Sequence, residues 1–558
     1  MYILPTNNIL PVKCQVNNKT SNPTFSARFP NGIKHSRHVK PYVAYMDFAR
    51  YNPLKKDFGD YIIPVHNEEI GRHLRQTYTS EQFNELFSFT KQKGTFDYIM
   101  DDRTGFVKTS LINRKENVLM SDMIWITDTC NNMELVKYQH PQDCTKVLNK
   151  MADLYEGQKE AFDEVISMPS KYKKNPIGVW QGQIGIGHCF VPQTHKPHIW
   201  FAKTRLESVG NYLQQATDII ITGLQGGKYG YRTAEEVPQN VIDSIANCTK
   251  YLKAINYPEA RSCGAWEEQT FMSSLTSDTS ICNQGIRDVM KLMFEPTENE
   301  EILKLRTRIK SSKHGDIFTD KKTLEALLSN GELRIRIQPD IETIAQHPRG
   351  TNPQDMKCYE RYYDSAMAFV PQTEKIDPQN IYMDSAKKLY ILKKLANNLV
   401  RDNGAIRYKG DEYLNLDYHT LKNPWADNKK KNEAEWFLVS EISSGYGAVV
   451  RQLLEYIEQK GTITEKDKKY LFMALKGETE YINRSYARIT PKNMTKSNMY
   501  SCPAYRVPEA YEAITTQSGK IKYVPGAHSP LTWAESSLHK ASRMFLENLK
   551  KLEELNIN

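Results

Sequence analysis

Two segments of this chain place carboxylates beside aromatic residues, although they are far apart in sequence. In the first, Trp266 directly precedes the adjacent acids Glu267 and Glu268. In the second, Glu509 follows Val507-Pro508 in a loop ahead of the last helical segment. Adjacent acids on a loop point in different directions, so one can face a ligand while the other contacts a neighbour. An aromatic ring offers a flat apolar surface that suits the C–H face of a sugar.

Two loop-borne carboxyl groups are what hydrolysis of a glycosidic bond requires. One acid protonates the departing oxygen, and the other activates a water molecule or attacks the sugar. The two groups then need opposite protonation states, so their surroundings must move their pKa values apart. Taken alone, the pair Glu267-Glu268 also fits a solvated acidic pair at the start of a helix.

The elements that would position these acids are mostly helical. Ser80 is predicted to cap a first helix, with Phe83, Leu86 and Phe87 on its buried face. Apolar residues at 3.6-residue spacing predict further helices. These cover residues 146–168, 205–221, 237–255, 284–294, 298–310, 321–329, 379–401, 434–459, 464–476 and 530–556. Strand-like patterns are limited to short runs, namely the strand candidates Tyr42–Tyr45 and Tyr61–Ile63 and the alternating stretch Leu333–Ile337.

Other candidate sites have simpler interpretations. Asp128 ends an apolar stretch and fits the cap of a following helix. The glycines of 182–187 do not lie between a buried strand and a helix with an acid downstream, so a nucleotide-binding loop is rejected. His188 and His195 lack the spacing of metal ligands and fit polar loop contacts. We therefore expect no metal and no organic cofactor.

Composition bounds the class of protein. The 558 residues are 39% hydrophobic and 25% charged, as in soluble globular proteins. The net charge of +9 is spread without a long basic block, so nucleic-acid binding is not indicated. Nine scattered cysteines indicate free thiols in a reducing compartment. Neither a secretory signal nor a membrane-spanning apolar run is evident, which predicts a cytoplasmic protein without a membrane partner.

The acidic segments resemble the two catalytic segments of glucoamylases, glycoside hydrolase family 15. Trp266-Glu267-Glu268 matches the first segment. Val507-Pro508-Glu509, with Pro530–Trp533 after it, matches the second, in the same order and at a similar separation. The hydrolase-like domains of phosphorylase kinase α and β subunits share the resemblance, which spans roughly residues 80 to 556.

Weaker matches lie before and between these segments. They are Trp125–Asp128, Arg205–Gly210, Arg407-Tyr408 with Asp411 and Tyr413, and Glu435–Leu438, which contains Trp436. The resemblance implies an all-α (α/α)6 barrel, in which Glu267 is the general acid and Glu509 the general base. It further implies that Asp128 and Arg407 hold hydroxyls of the terminal glucose. The implied pocket-lining residues are Trp125, Trp266, Glu268, Trp436 and Trp533.

This sequence departs from the family pattern at two positions. Thr127 stands where the family usually has Arg, and Glu207 stands where it usually has Asp. In the family, both positions shape the terminal-glucose subsite, so the identity of the natural substrate stays undecided. One alternative is a charged or substituted sugar that Lys203 or Arg205 contacts. We expect residues 1–78 to form an irregular or β-containing extension, and residues 79–558 to form the catalytic barrel.

Three functions follow as alternatives. The first is an inverting exo-acting hydrolase that releases glucose from α-glucans or α-linked oligosaccharides. The second is a non-catalytic glucan-binding or regulatory protein with the same barrel, which Thr127 and Glu207 favour and which retention of Glu267 and Glu509 disfavours. The third is a trehalase-like enzyme of the same fold.

Overall fold

The computed structural model describes most of the chain from residue 53 onward. The described ranges are 53–110, 123–170, 186–198, 205–260, 262–266, 275–337, 342–346, 357–361, 363–409, 411, 433–492, 502–515, 520–526 and 529–557. The strand candidate Tyr42–Tyr45 lies outside them.

Fifteen α-helices dominate these ranges. In chain order they are α1 Glu68–His73, α2 Ser80–Gln92, α3 Ile126–Gln139, α4 Cys144–Glu156, α5 Lys159–Ser167, α6 Leu206–Leu224, α7 Gln239–Ile255, α8 Thr276–Phe294, α9 Glu300–Lys310, α10 Lys321–Ile337, α11 Phe369–Thr373, α12 Ile381–Leu399, α13 Val439–Lys460, α14 Glu465–Ala487 and α15 Thr532–Glu554. A 3₁₀ turn, Ser365–Ala368, leads directly into α11.

The strands are short and pair locally. They are β1 Leu54–Asp57, β2 Ile62–Val65, β3 Met100–Asp101, β4 Phe106–Val107, β5 Ile124–Trp125, β6 Cys189–Phe190, β7 Glu342–Gln346, β8 Lys357–Arg361, β9 Glu435–Trp436, β10 Ala510–Thr515 and β11 Ile521–Pro525. All pairs are antiparallel, and β10 lies between β11 and β9.

Six helices close into an inner ring. Each contacts the next in the order α3, α6, α8, α11, α13, α15, and α15 returns to α3. The outer helices α2, α4, α7, α10, α12 and α14 alternate with them along the chain and pack on their outer side. This arrangement is the predicted (α/α)6 barrel, so the predicted fold class is confirmed.

The inner helices α3, α6 and α15 begin at the same end of the barrel. Thr127, in the first turn of α3, hydrogen-bonds Ser208 in the first turn of α6. Ser536, near the start of α15, donates to the carbonyl of Asn131 in α3. Residues at the beginnings of these helices therefore share one mouth of the barrel.

Local sequence explains where several elements begin and end. Helix α2 is capped by Thr79, which forms a capping box with Gln82, so the predicted cap at Ser80 was one residue late. The single helix predicted over 146–168 is two helices, because α4 ends at Gly157 and α5 begins at Lys159.

The strand-like alternation of Leu333–Ile337 was misleading, since these residues form the end of α10. Within that helix Leu324, Leu327, Gly331 and Ile335 are buried at helical spacing. Five alternating residues are too few to overrule a longer helical stripe that packs against a neighbouring helix.

The segment that precedes α2 packs on the barrel. The ring of His66 stacks on that of Tyr511, with ring centroids 4.4 Å apart, and its Nε2 lies 2.9 Å from Oδ1 of Asn403. Asn67 donates a hydrogen bond to the carbonyl of Thr490. Since Tyr511 belongs to β10, the strand directly after Glu509, this segment packs against the strand that follows the proposed base.

Among the described helices, none combines the length and the apolar character needed to cross a membrane.

Candidate active site

Glu509 lies at the mouth of the barrel, between strand-forming loops. Its carbonyl accepts from the amide of Phe437 at 3.1 Å, and its own amide donates to Oγ of Ser529 at 3.2 Å. The next residue, Ala510, pairs with Trp436 across β9 and β10. Backbone bonds on both sides therefore fix the Cα of Glu509 while leaving its side chain unconstrained by them.

The carboxyl of Glu509 has an oxygen that can accept a hydrogen bond from a ligand. The residue as a whole is half-buried, yet its Oε2 is fully buried and has no hydrogen-bond partner among the described residues. A buried polar atom of this kind costs free energy unless a ligand or water satisfies it. The pKa of Glu509 is raised to about 8, chiefly by burial and then by the carboxylates of Glu512 and Asp128, while Arg407 lowers it.

Asp128 lies in the first turn of α3, whose N-terminal end favours a carboxylate. The helix begins at Ile126, so the predicted capping role was wrong: Asp128 is inside the helix. The carboxylate of Asp128 raises the pKa of Glu509. The structure therefore places these two predicted site residues near each other, although they are distant in sequence. Trp125 is buried just before the helix, with its ring 5.8 Å from that of His188.

Arg407 organises the aromatic part of the site. Its guanidinium makes a bidentate pair with Asp411, at 2.7 Å from Nε and 2.6 Å from Nη2, and both side chains are buried. The same guanidinium lies 4.6 Å from the ring centroid of Trp436 and 5.6 Å from that of Trp266. Cation–π contact and packing therefore join two predicted pocket-lining rings.

Trp533 is the second residue of α15 and packs edge-on against Phe437, with ring centroids 5.3 Å apart. Its Nε1 is buried, and among the described residues no acceptor pairs with it. Trp533 thus presents a hydrogen-bond donor beside the loop that carries Glu509, since Phe437 bonds to the carbonyl of that residue.

The sequence analysis missed Asp364. Its Oδ1 accepts the indole N–H of Trp266 at 2.8 Å and also caps the following turn through the amide of Ala366. The capping pattern Asp-Ser ahead of an apolar run was a usable sequence signal for the turn. Nothing in the sequence indicated its partner, which is 98 residues away.

The two departures from the family pattern are both buried. Thr127 Oγ1 lies 3.1 Å from Oγ of Ser208, so its hydroxyl faces α6. Glu207 pairs with the buried guanidinium of Arg205, which also donates to the carbonyl of Ala265 at 3.1 Å. Arg205 is therefore engaged within the protein, and the idea that it meets a charged sugar loses its support.

Replacing Thr127 with Arg is expected to destabilise the protein. A guanidinium would have to fit where a buried hydroxyl bonds Ser208, and overpacking alone costs about 1–3 kcal/mol. Urea unfolding of Thr127→Arg should show a lower midpoint than wild type, while Thr127→Ser, which keeps the hydroxyl, should stay close to it. An equally stable Thr127→Arg with improved affinity for a simple α-glucoside would instead show that this position opens into the pocket.

Several predicted residues cannot be placed. Glu267, Glu268, Lys203 and Tyr413 lie outside the described residues, as does the part 182–185 of the glycine-containing segment 182–187. Trp266 is the last described residue before the proposed acid Glu267. Within the described ranges, His, Cys, Asp and Glu side chains form no group of three or more suited to a metal ion.

Comparisons with known proteins reveal structural likeness only. No protein-family model and no curated protein sequence matches the chain. The chain is similar in structure to a glycosidase with a Phe-to-Tyr substitution, at 10% identity and a TM-score of 0.48, covering 84% of this chain and 99% of that one. It is also similar to a glucoamylase from Saccharomycopsis fibuligera, at 12% identity and a TM-score of 0.43, covering 85% and 97%.

A bacterial glucoamylase complexed with acarbose is similar at 11% identity and a TM-score of 0.42, over 81% of this chain and 53% of that one. At these low identities and TM-scores, the similarities carry no functional argument. The functional proposal rests on the site.

Proposed function

We propose that this protein is an inverting, exo-acting glycoside hydrolase that releases glucose from α-glucans or α-linked oligosaccharides. Glu509 is assigned as general base and Glu267 as general acid. The observation that carries the proposal is the carboxyl of Glu509: one of its oxygens is buried without a hydrogen-bond partner in the described part of the chain, and the charges of Asp128 and Arg407 act on its pKa. It is held by backbone bonds at the barrel mouth, where aromatic rings can pack on a sugar.

In this mechanism Glu267 gives its proton to the glycosidic oxygen as the bond to the anomeric carbon breaks. A water molecule attacks that carbon from the opposite face and loses a proton to Glu509. Inversion needs room for this water, so the two carboxyl groups are predicted to stand about 6.5–9.5 Å apart. Asp128 would accept hydrogen bonds from hydroxyls of the terminal sugar, and the indole of Trp533 would donate one.

The raised pKa of Glu509 has a direct consequence for the pH dependence. A general base must be ionised, whereas burial and the nearby carboxylates hold its pKa at about 8. Activity is then lost as the pH falls through about 8. We predict that the acidic limb of the kcat/KM profile, which reports the free enzyme, has its midpoint near that pH rather than near 4 to 5, about the range of an ordinary carboxyl.

The Glu512→Gln variant tests the cause of that shift. Glu512 is buried, and its carboxylate raises the pKa of Glu509, so removing the charge should move the acidic limb to lower pH. Glu85→Gln, an exposed change on α2, is the control and should leave the limb in place. An acidic limb at the same pH in both variants would contradict the assignment of this limb to Glu509.

The substrate class is tested by a release assay. Purified protein is incubated at pH 8 to 9 (an assay range) with maltose, isomaltose, trehalose and glycogen, and glucose is measured. Release from maltose and glycogen supports the proposal. Release from trehalose alone supports the trehalase-like alternative of the same fold.

One observation favours a non-catalytic glucan-binding protein as the second candidate. With its pKa at about 8, Glu509 is mostly neutral at pH 7, and a neutral carboxyl both donates and accepts hydrogen bonds to sugar hydroxyls. Calorimetric binding of maltose without glucose release at any pH up to 9 would support this candidate over the hydrolase.

A further inference from the structure

The segment 262–266 leads directly into the proposed acid Glu267, and it is anchored at both ends. At its start, Oγ of Ser262 accepts the amide of Leu206 at 3.1 Å, and next to its end the carbonyl of Ala265 accepts Nη2 of Arg205 at 3.1 Å. Gly264 turns the chain with φ 72°, and a Cβ there would clash with Leu275. Both of these anchors come from the beginning of α6.

The last anchor comes from the residue that caps the 3₁₀ turn Ser365–Ala368. The indole Nε1 of Trp266 donates to Oδ1 of Asp364, a side chain that is only 3% exposed. A charge-assisted hydrogen bond in a buried setting is stronger and more directional than a neutral one. It fixes the Trp266 ring at the residue immediately before Glu267.

Asp364 is itself tied to the segment that carries Arg407, through an isolated bridge with Tyr408. The amide of Ser365 donates to the carbonyl of Arg407 at 2.8 Å, and its hydroxyl donates to the carbonyl of Ile406 at 2.7 Å. Arg407 in turn lies against the Trp266 ring. Asp364 therefore links the backbone of the sugar-binding side to the segment that ends at the proposed acid.

We propose that Asp364 is a positioning residue for acid catalysis: by holding the indole of Trp266 it fixes the end of the segment from which the chain continues into the proposed acid Glu267. This inference rests on the proposed hydrolase function. Misplacement of a catalytic group by about 1 Å can cost about a hundredfold in rate. The effect should fall on the proton transfer to the leaving group more than on sugar binding.

Leaving-group dependence separates this role from a general structural one. Maltose needs protonation of a sugar oxygen as it departs, whereas α-glucosyl fluoride releases fluoride with little help from an acid. We expect Asp364→Ala to lose about a hundredfold in kcat on maltose. On α-glucosyl fluoride it should lose about threefold or less, with KM for maltose nearly unchanged, because Glu509 and the sugar contacts remain.

Two matched variants complete the experiment. Asp364→Asn keeps an oxygen that can accept from both Trp266 and Ala366, so it should recover most of the maltose activity. Trp266→Phe removes the indole donor together with part of the ring that Arg407 contacts, so it should show at least the selective loss, with little further loss when combined with Asp364→Ala. Equal losses on maltose and α-glucosyl fluoride in Asp364→Ala would overturn the inference.

A readout independent of turnover keeps the two proposals apart. The indole N–H resonance of Trp266, assigned by its disappearance in Trp266→Phe, should shift in Asp364→Ala and stay near its wild-type position in Asp364→Asn. Wild type inactive on both substrates would refute the proposed function, and with it the catalytic role of Asp364. An unshifted resonance would refute the anchoring of Trp266 even in an active enzyme.

Discussion

Glu509→Gln is expected to lower kcat on maltose by about a hundred- to ten-thousand-fold, the usual contribution of a general base. The amide has nearly the same shape as the carboxyl but cannot take a proton from water. The backbone bonds of residue 509 to Phe437 and Ser529 do not involve the side chain, so the fold should persist. Steady-state kinetics at pH 9 measure kcat, and circular dichroism measures whether the fold persists.

Glu512→Gln is the matched control, since it makes the same chemical change three residues away. At pH 9 it is expected to turn over maltose at a rate close to wild type, because the Glu512 carboxylate acts on Glu509 by raising the pKa of that base, which is mostly ionised at this pH. Maltose binding, measured by calorimetry, should survive in Glu509→Gln. If that variant kept most of its activity, the assignment of Glu509 as base would be wrong.

Arg407→Met is expected to have the second large effect, on stability. The substitution removes the bidentate guanidinium of the buried carboxylate of Asp411, and breaking a buried ion pair from one side costs about 3–5 kcal/mol. The rings of Trp436 and Trp266 also lose the cation between them. Urea unfolding followed by circular dichroism should show a lower free energy of unfolding.

A double-mutant cycle with Asp411→Asn separates charge from packing. Arg407→Met combined with Asp411→Asn should be less destabilised than Arg407→Met alone, since no charge is then left without its guanidinium. If the free energy of unfolding of Arg407→Met stayed within about 1 kcal/mol of wild type, the Arg407–Asp411 ion pair would contribute little to stability.

The sequence predicted the barrel because its helices carry strong apolar stripes. In α7, which matches the helix predicted over residues 237–255, one buried stripe is formed by Val241, Ile245, Cys248, Leu252 and Ile255. The pattern failed where it was short, as at Leu333–Ile337, or where the chain breaks within a stripe, as at Gly157. Helix boundaries depend on capping and on tertiary packing, which the spacing of apolar residues predicts poorly.

The site was predicted only in part, for a physical reason. The sequence motifs indicated Asp128, Arg407 and Glu509, and the structure brings their charges together. Motifs did not reveal that Asp364 holds Trp266 or that Glu512 acts on the pKa of Glu509. Such contacts are set by the closing of the ring of helices, and local spacing carries no signal for them.

The anomeric form of the first product tests the central proposal most directly. Maltose or a longer α-linked oligosaccharide is mixed with enzyme in an NMR tube at several pH values from 4 to 9 (an assay range), and the anomeric proton signals are followed before mutarotation equilibrates them. The proposed mechanism predicts that the glucose released first is the β-anomer, because water attacks the face opposite the departing oxygen. Release of α-glucose first, or no release of glucose at all, would contradict the assignment of this barrel as an inverting hydrolase.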